Sequence, residues 1–276
     1  MIERFWLFHC AYASVPRAVL IDDGGWQRVR MPFLAGVAEH DEHGLILFDA
    51  PYGREGPSNV GTVVGSLLEY GGLVFEERWA VVPRIEELGL RSADVQDVLM
   101  THLHCDHTGG MKTVAHARFH LSEREWEFAH EGSSKLAAAR GYARSDFEAL
   151  DHQIVTHEPV PHLADSERGL DVLGDGSIEM FFLPGHTPGH CGYRIHLDGA
   201  PNIFFAGDAA FTVPQIFGEQ KPGLLPDNVA TSSGGVDVSL RALRKHLEQS
   251  GDIPVVCHDL ELGARCIDEG PIEFGG

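Results

Sequence analysis

The sequence predicts an α/β protein that folds as a four-layered αββα sandwich. Short apolar strands alternate with amphipathic helices in two successive halves of the chain, and polar clusters follow several of the strands. The 276 residues are 43% hydrophobic, which is enough to bury a large core within one domain. Because no repeat, linker or low-complexity segment interrupts the chain, residues 1–276 are predicted to form a single domain.

Apolar runs rich in branched and aromatic side chains predict the strands. Buried strands are expected at residues 95–100, 180–183, 203–206 and 253–257. Residues 28–39 and 45–49 flank the turn Asp41-Glu42-His43-Gly44, which is typical of a β-hairpin.

Four segments have the spacing or the caps of helices, at residues 81–88, 122–130, 135–150 and 236–249. The second begins with a capping box formed by Ser122 and Glu125, and the fourth ends ahead of Gly251. The glycine-rich stretch 52–72 fits either a lid or a plain connection, and the sequence leaves both open.

The charge balance and the cysteines restrict the class of protein. Lys and Arg total 21 against 41 Asp and Glu, giving a formal net charge of −20, so no nucleic-acid partner is expected. Five cysteines without a close pair argue against a disulfide framework. Since neither an export signal nor an apolar run long enough to span a membrane is evident, a cytoplasmic protein without a membrane partner is expected. The oligomeric state is left open, and a homodimer is one option.

One segment, from Thr101 to Gly110, contains three imidazoles and a carboxylate in the pattern H-x-H-x-D-H. Imidazole nitrogen and carboxylate oxygen are ligands for divalent transition metals. Residues two apart in an extended chain point the same way, so His102 and His104 are predicted to bind one ion. The turn that follows directs Asp106 and His107 at a second ion.

Three further candidate ligands each follow a predicted buried strand. His186 lies in the loop P-G-H-T-P-G-H, Asp208 in A-G-D-A, and His258 in C-H-D. Because α/β sheets build their sites at strand ends, these residues are predicted to join the first four in one centre.

The seven residues in this order resemble the motif of the metallo-β-lactamase-fold hydrolases, and the match extends from about residue 30 to about residue 262. The resemblance implies two mixed β-sheets flanked by helices. It also implies that His102, His104 and His186 bind one metal ion, that Asp106, His107 and His258 bind the other, and that Asp208 bridges both.

The same resemblance implies the cofactor and the chemistry. Two divalent ions are expected, with zinc preferred and manganese, iron or cobalt as alternatives. A hydroxide held between the ions would attack the substrate carbonyl. Asp106, which would lie beside that hydroxide, is the expected catalytic residue because its carboxylate orients the water and helps to move its proton.

Three residues are expected to support the centre without binding metal. An Asp at the position of Asp49 supports the metal site from behind in this family, and His190 is expected to stabilise the loop of His186. Phe211 stands where the lactonases of this family usually have a Tyr that holds a substrate oxygen. Since phenylalanine cannot donate a hydrogen bond, this departure implies another substrate, a slower lactonase, or a different donor among residues 212–233.

Within the superfamily, the chain is most similar to the quorum-quenching N-acyl homoserine lactonases. Its length, the G-H-T-P-G-H loop and the segment C-H-D-L-E resemble that branch. The expected reaction is therefore opening of a lactone or ester. The alternatives are β-lactam or thioester hydrolysis on the same fold and a non-catalytic metal-binding protein. Thioester hydrolases of the glyoxalase type add a C-terminal domain, whereas 18 residues follow His258.

Overall fold

The computed structural model describes residues 1–56, 62, 65–66 and 72–275. Much of the predicted lid or connection at residues 52–72 therefore lies outside the described residues. The strands of the described part are β1 (Ile2–Pro16), β2 (Arg28–His40), β3 (Gly44–Phe48), β4 (Leu73–Val74), β5 (Val95–Leu99), β6 (Arg118–Ser122), β7 (Ile154–His157), β8 (Leu170–Asp171), β9 (Ile178–Phe182), β10 (Cys191–Ile195), β11 (Ile203–Phe205), β12 (Ile253–Val255) and β13 (Ile272–Gly275).

These strands form two mixed sheets. The larger sheet has the order β13-β1-β2-β3-β5-β6-β7, with β4 paired to β1, and its strands from β3 to β7 along this order run parallel. The smaller sheet has the order β12-β11-β10-β9-β8, in which β11 and β12 are parallel and the other pairs antiparallel. Parallel neighbours end at the same edge of a sheet, so the residues that follow them emerge side by side.

Helices cover the outer faces of both sheets. The described α-helices are α1 (Val81–Glu87), α2 (Cys105–Thr108), α3 (Glu123–His130), α4 (Ser134–Ala139), α5 (Val213–Ile216), α6 (Leu224–Val229), α7 (Ser233–Ser250) and α8 (Leu260–Asp268). Val81 and Ile85 of α1 pack on the outer face of the larger sheet, and Leu243 and Leu247 of α7 pack on that of the smaller sheet. The predicted αββα sandwich is confirmed. None of the described helices is long and apolar enough to cross a membrane.

Aromatic side chains fill the space between the two sheets. The Phe48 ring lies 6.0 Å from that of Tyr193 and 5.6 Å from that of Phe205, centroid to centroid, and all three are fully buried. Burial of each such side chain contributes roughly 1.5–3 kcal/mol. The Tyr193 hydroxyl donates to the Met100 carbonyl at 2.8 Å, so this core also fixes the chain where β5 ends.

Most of the predicted elements are confirmed. β5, β9, β11 and β12 lie at the four predicted strands, β2 and β3 form the predicted hairpin, and α1 lies within residues 81–88. Helix α7 ends as predicted at Gly251, whose φ of +71° is the left-handed conformation that glycine favours. The division of the chain into a single domain stays a prediction.

Two helix predictions are partly wrong, and seven of the described strands were not predicted: β1, β4, β6, β7, β8, β10 and β13. Within residues 135–150 only the part up to Ala139 is α-helical, because Gly141 adopts a φ of +94° and 3-10 turns follow. Ser122 does cap α3 by accepting from the Glu125 N–H at 3.1 Å, but the Glu125 carboxylate turns away to other donors instead of completing the capping box. Strand β1 was not predicted because most of its residues are buried, so its sequence does not alternate between apolar and polar side chains.

His9, in β1, is a buried imidazole held neutral by its surroundings. Its Nδ1 donates to the Cys266 carbonyl at 3.0 Å, and the Arg84 guanidinium donates to its Nε2 at 3.0 Å. Burial and the Arg84 charge lower the pKa of His9 to about 3. The unfolded chain therefore binds a proton at His9 at pH values where the folded protein does not.

Lowering the pH below about 6.5 is expected to destabilise the folded state through His9, by about 1.4 kcal/mol per pH unit until its folded pKa is reached. The His9→Gln variant lacks this proton uptake. The free energy of unfolding of both proteins should be measured by urea denaturation at pH 7 and pH 5 in the presence of a chelator. The free energy of unfolding of His9→Gln is expected to be lower than that of the wild type at pH 7, and this difference should shrink by about 2 kcal/mol at pH 5. A difference that does not change with pH would contradict the low pKa of His9 in the folded protein.

Candidate metal centre

The predicted ligands emerge from the ends of strands in both sheets. His102 and His104 follow β5 in the larger sheet, and His186 follows β9 in the smaller one. Asp208 and His258 follow the parallel strands β11 and β12. All five side chains are buried and meet at one edge of the sandwich.

His102, His104 and His186 form a group of three converging imidazoles. The His104 Nδ1 lies 3.1 Å from the His102 Nε2 and 2.9 Å from the His186 Nε2, and the two Nε2 atoms are 3.2 Å apart. Nitrogen ligands of a tetrahedral zinc ion are separated by about 3.3 Å, given bonds of about 2.0–2.1 Å. The spacing of the three atoms therefore suits a single bound cation.

The protonation state of these three imidazoles is also suited to binding a metal ion. Burial, and then the neighbouring imidazoles, lower the pKa of His102 well below its usual value, and burial does the same for His186. Burial lowers the pKa of His104 to about 4. At neutral pH the rings are uncharged, which is the form that binds a metal ion.

A second group contains Asp106, His107 and His258. Ligand atoms of these three side chains lie within 4.8 Å of one another, with the His258 Nε2 at 3.7 Å from the Asp106 Oδ2. The His258 Nδ1 donates to the Pro32 carbonyl at 2.8 Å, which turns its Nε2 towards the group. This arrangement supplies two imidazoles and one carboxylate for a second ion.

The Asp208 carboxylate lies between the two groups. Its Oδ2 is 3.1 Å from the His258 Nε2 and 3.4 Å from the His186 Nε2, while its Oδ1 is 3.5 Å from the His107 Nε2. The structure thus brings all seven predicted ligands together, while their division between two metal ions stays a prediction.

Two further observations test whether a dinuclear metal centre fits these residues. Among the described residues, the buried His107 Nε2 and Asp208 Oδ1 lack a hydrogen-bond partner, which is costly unless a ligand binds them. The buried carboxylates of Asp49, Asp106, Asp208 and Glu125 form no ion pair with Arg or Lys in the described part of the chain. Isolated buried charges are unfavourable, so divalent cations fit this donor set.

Asp49 lies behind the candidate ligands and contacts Thr101 and His107. Its Oδ1 accepts from the Thr101 N–H and its Oδ2 from the Thr101 hydroxyl, both at 2.8 Å. The His107 Nδ1 donates to the same Oδ2 at 2.8 Å, so the His107 Nε2 faces Asp208. Asp49 adopts a φ of +57°, an unfavourable conformation for a residue other than glycine and one often found at functional sites.

The charges around His107 set its protonation in the absence of metal. Burial opposes a charge on this ring, yet the carboxylates of Asp208 and Asp49 raise the pKa of His107 well above its usual value. In turn, burial opposes ionisation of Asp208, but His258 and His107 hold the pKa of Asp208 well below its usual value. Without metal, a proton on His107 partly neutralises the carboxylates, and a bound cation would replace it.

His190 and Phe211 lie beside the ligands. The His190 Nε2 accepts from the Asp208 N–H at 3.1 Å, so this ring orients the shared ligand through its backbone and not through the metal-binding atoms. The Phe211 ring packs 4.7 Å from that of His258 and 6.0 Å from that of His186, centroid to centroid. It provides an apolar wall where a tyrosine would provide a hydroxyl.

A cavity opens onto the centre. Its lining combines five of the predicted ligands with four apolar side chains: Met31, His104, Asp106, His186, Asp208, Phe211, Leu225, Val229 and His258. The apolar wall was not predicted, because its members come from three separate segments and each has the pattern of an ordinary core residue.

Two other contributors were missed or given another role. Thr101 lies inside the motif, and its hydroxyl accepts from the His102 Nδ1 at 3.0 Å, which directs the His102 Nε2 at the site. Glu125 was predicted only as a helix cap. Its carboxylate contacts the loops of His102, His104 and His186, and no sequence signal separates that role from capping.

Comparisons with known proteins agree with this geometry. Residues 36–247 match the family model of the metallo-beta-lactamase superfamily. The N-acyl homoserine lactonase AttM of Azorhizobium caulinodans is 32% identical over 188 residues, which cover 67% of this chain and 66% of that protein, slightly under two thirds of its length. AttM of Agrobacterium fabrum is 30% identical, with coverage of 70% and 68%.

Solved structures show the same fold. An N-acyl homoserine lactone hydrolase with the product N-hexanoyl-L-homoserine bound at its catalytic metal centre superposes with a TM-score of 0.71 over 96% of this chain and 97% of that one, at 18% identity. The family model spans most of the chain. The chain belongs to the metallo-β-lactamase superfamily.

Proposed function

We propose that the protein is a dinuclear-metal hydrolase that opens lactone rings, with N-acyl homoserine lactones as its substrate class. The observation that carries this proposal is the buried set of seven candidate ligands, five of which line a cavity with an apolar wall. The relatives named N-acyl homoserine lactonases support the substrate class. Because 66% of the first relative is covered, its activity is transferred here as part of the proposal.

Zinc is the proposed metal. His102, His104 and His186 would hold one ion, Asp106, His107 and His258 the other, and Asp208 both. When bound, two such ions supply a water molecule that is acidic enough to react near neutral pH, and they polarise a carbonyl group. The same donor types also accept manganese, iron and cobalt.

Asp106 is the proposed catalytic residue. It lines the cavity, it is nearly fully buried, and its Oδ2 lies on the side of His258. From this position the carboxylate accepts a hydrogen bond from the attacking water and orients it towards the ester carbon. It then takes up the proton at its free oxygen and delivers it to the ring oxygen that leaves.

The apolar wall lies beside the ligands. Met31, Phe211, Leu225 and Val229 line the same cavity, whose volume of about 20 Å³ admits a water-sized group, so an acyl chain would extend beyond it. These side chains also exclude bulk water, which strengthens the electrostatic interactions within the site.

Among the described residues that line the cavity, no hydroxyl replaces the tyrosine that the lactonases usually carry. The Thr212 hydroxyl donates to the Gln220 side chain at 2.9 Å, away from the ligands, and the cavity lining within the described residues contains no Ser, Thr or Tyr. We therefore propose that the oxygen of the opening ring depends on the metal ions and on Asp106 alone, which predicts slower turnover of unactivated lactones.

The zinc-loaded protein is expected to release acid from a medium-chain N-acyl homoserine lactone at constant pH. The His104→Ala variant removes the imidazole that lies next to both His102 and His186. Its kcat/KM should fall at least 100-fold, an effect of the order found for lost catalytic groups. His116→Ala, a change at an exposed histidine, is the matched control and should match the wild type.

The same assay should include an activated phenyl ester, a thioester and a β-lactam. Metal-dependent turnover of one of these without lactone opening would contradict the lactonase proposal and assign another hydrolysis on the same centre. No turnover of any of them by a protein that binds two ions would favour the non-catalytic alternative.

Metal content provides a prediction that does not depend on the substrate. The wild type is expected to bind two zinc ions per chain, and Asp208→Ala should lower the affinity of both because its carboxylate contacts both groups. Competition against a chromogenic chelator measures each affinity. A wild type that binds fewer than two ions, or an Asp208→Ala variant that binds both normally, would overturn the dinuclear assignment.

A further inference from the structure

Glu125 is a fully buried carboxylate at the start of α3 that is not among the predicted ligands. Its Oε1 accepts from the Leu103 N–H and from the Tyr142 hydroxyl, both at 3.0 Å. Its Oε2 accepts from the Thr187 hydroxyl at 2.6 Å. Three hydrogen bonds from three segments of the chain thus end on one side chain.

Each of these donors lies next to a residue of the three-histidine group. Leu103 separates His102 from His104, and Thr187 directly follows His186. The Tyr142 ring packs against the His104 ring with centroids 5.0 Å apart. Each hydrogen bond to Glu125 therefore comes from a residue that is adjacent in sequence to one of the three imidazoles or packs against one of them.

The capping residue of the same helix adds a fourth connection. The Ser122 hydroxyl accepts from the Glu125 N–H at 3.1 Å and donates to the Gly189 carbonyl at 2.6 Å. Gly189 packs so tightly here that a Cβ atom on it would lie 2.1 Å from the Glu125 nitrogen. The first turn of α3 thus holds the loop of His186 directly against the loop of His102 and His104.

The second group of ligands has different supports. His107 is held by Asp49, and His258 by the Pro32 carbonyl. Neither support contacts Glu125. Asp49 also reaches His102 through the Thr101 hydroxyl, so its hydrogen bonds connect to both groups, whereas those of Glu125 connect only to the three-histidine group. Glu125 has no contact of this kind with Asp106, His107 or His258 among the described residues.

We infer that Glu125 is a positioning residue for the metal site formed by His102, His104 and His186, and that it acts on this site selectively. The inference rests on the metal centre proposed above. The carboxylate fixes the spacing of the three imidazoles through Leu103, Thr187 and Tyr142, and its negative charge favours a cation in this site. Removing it is expected to weaken metal binding to this site and to spare the other.

The test separates the two sites by using single-site backgrounds. His258→Ala disables the second group and retains the three-histidine group, whereas His186→Ala does the reverse. In the His258→Ala background, Glu125→Gln should weaken zinc binding about 10- to 100-fold, the range typical for residues that orient metal ligands. In the His186→Ala background, Glu125→Gln should change the zinc affinity by no more than about 2-fold. Glu125 does not contact the second group, and changes at sites that are not in contact have nearly independent effects. Chelator competition measures both.

A spectroscopic readout distinguishes positioning from a general loss of stability. With cobalt in place of zinc, Glu125→Gln should shift the visible absorption of the three-histidine site, because the ligand geometry changes. Asp252→Asn is the matched control: Asp252 is a buried carboxylate that accepts from Arg194 and from His246 far from the ligands. It should lower the melting temperature without altering the cobalt spectrum or the zinc affinity.

Two milder variants cover the case in which Glu125→Gln does not fold. Tyr142→Phe and Thr187→Val each remove one donor to Glu125 with little change of shape, and each should weaken only the three-histidine site. Equal weakening of both sites, or unchanged binding at the three-histidine site, would overturn the inference. A wild type that binds no zinc would instead overturn the proposed function, so the two failures are distinguishable.

Discussion

Packing between the two sheets is the interaction on which the centre depends, because neither half of the chain carries a complete set of ligands. Phe48 of the larger sheet packs against Tyr193 and Phe205 of the smaller one, and this contact aligns the strand ends of both. The His104 Nδ1 and the His186 Nε2 then lie 2.9 Å apart, although the two residues are 82 positions apart in the chain. A shift of one sheet relative to the other would separate them, so core packing and ligand geometry are parts of the same constraint.

Once the strand ends are aligned, hydrogen bonds determine which atom of each side chain faces the site. His258 donates its Nδ1 proton to Pro32, His107 to Asp49, and His102 to Thr101, which leaves the Nε2 of each ring free to bind a cation. Backbone hydrogen bonds in turn fix these partners; for example, Asp49 accepts from the Thr101 N–H. The ligand set is therefore organised before any cation binds, which reduces the cost of ordering it.

The sequence predicted well which side chains converge at the candidate centre, because their signal is local. H-x-H-x-D-H places four of them within one strand end and one turn, and His186, Asp208 and His258 each follow an apolar run that reads as a strand. Glu125 and the cavity wall could not be predicted in the same way. A Ser followed three residues later by a Glu is the pattern of a capping box, and only the tertiary contacts with Leu103 and Thr187 show that the carboxylate points elsewhere. The predicted helix 135–150 failed for a related reason, since Gly141 was read as part of a continuous helix whereas its positive φ ends the segment.

Charge balance explains why the centre needs supporting carboxylates as well as ligands. Asp106 and Asp208 contribute two negative charges to the donor set, but two divalent cations would bring four positive ones. The buried carboxylates of Asp49 and Glu125 lie one layer behind and raise the total to four negative charges, and no Arg or Lys of the described residues neutralises them. Asp49 lies behind His107 and, through Thr101, behind His102, whereas Glu125 supports only the three histidines. In a medium of low dielectric constant, this distribution reduces the repulsion between two adjacent cations, and it makes the metal-free protein the state with uncompensated charge.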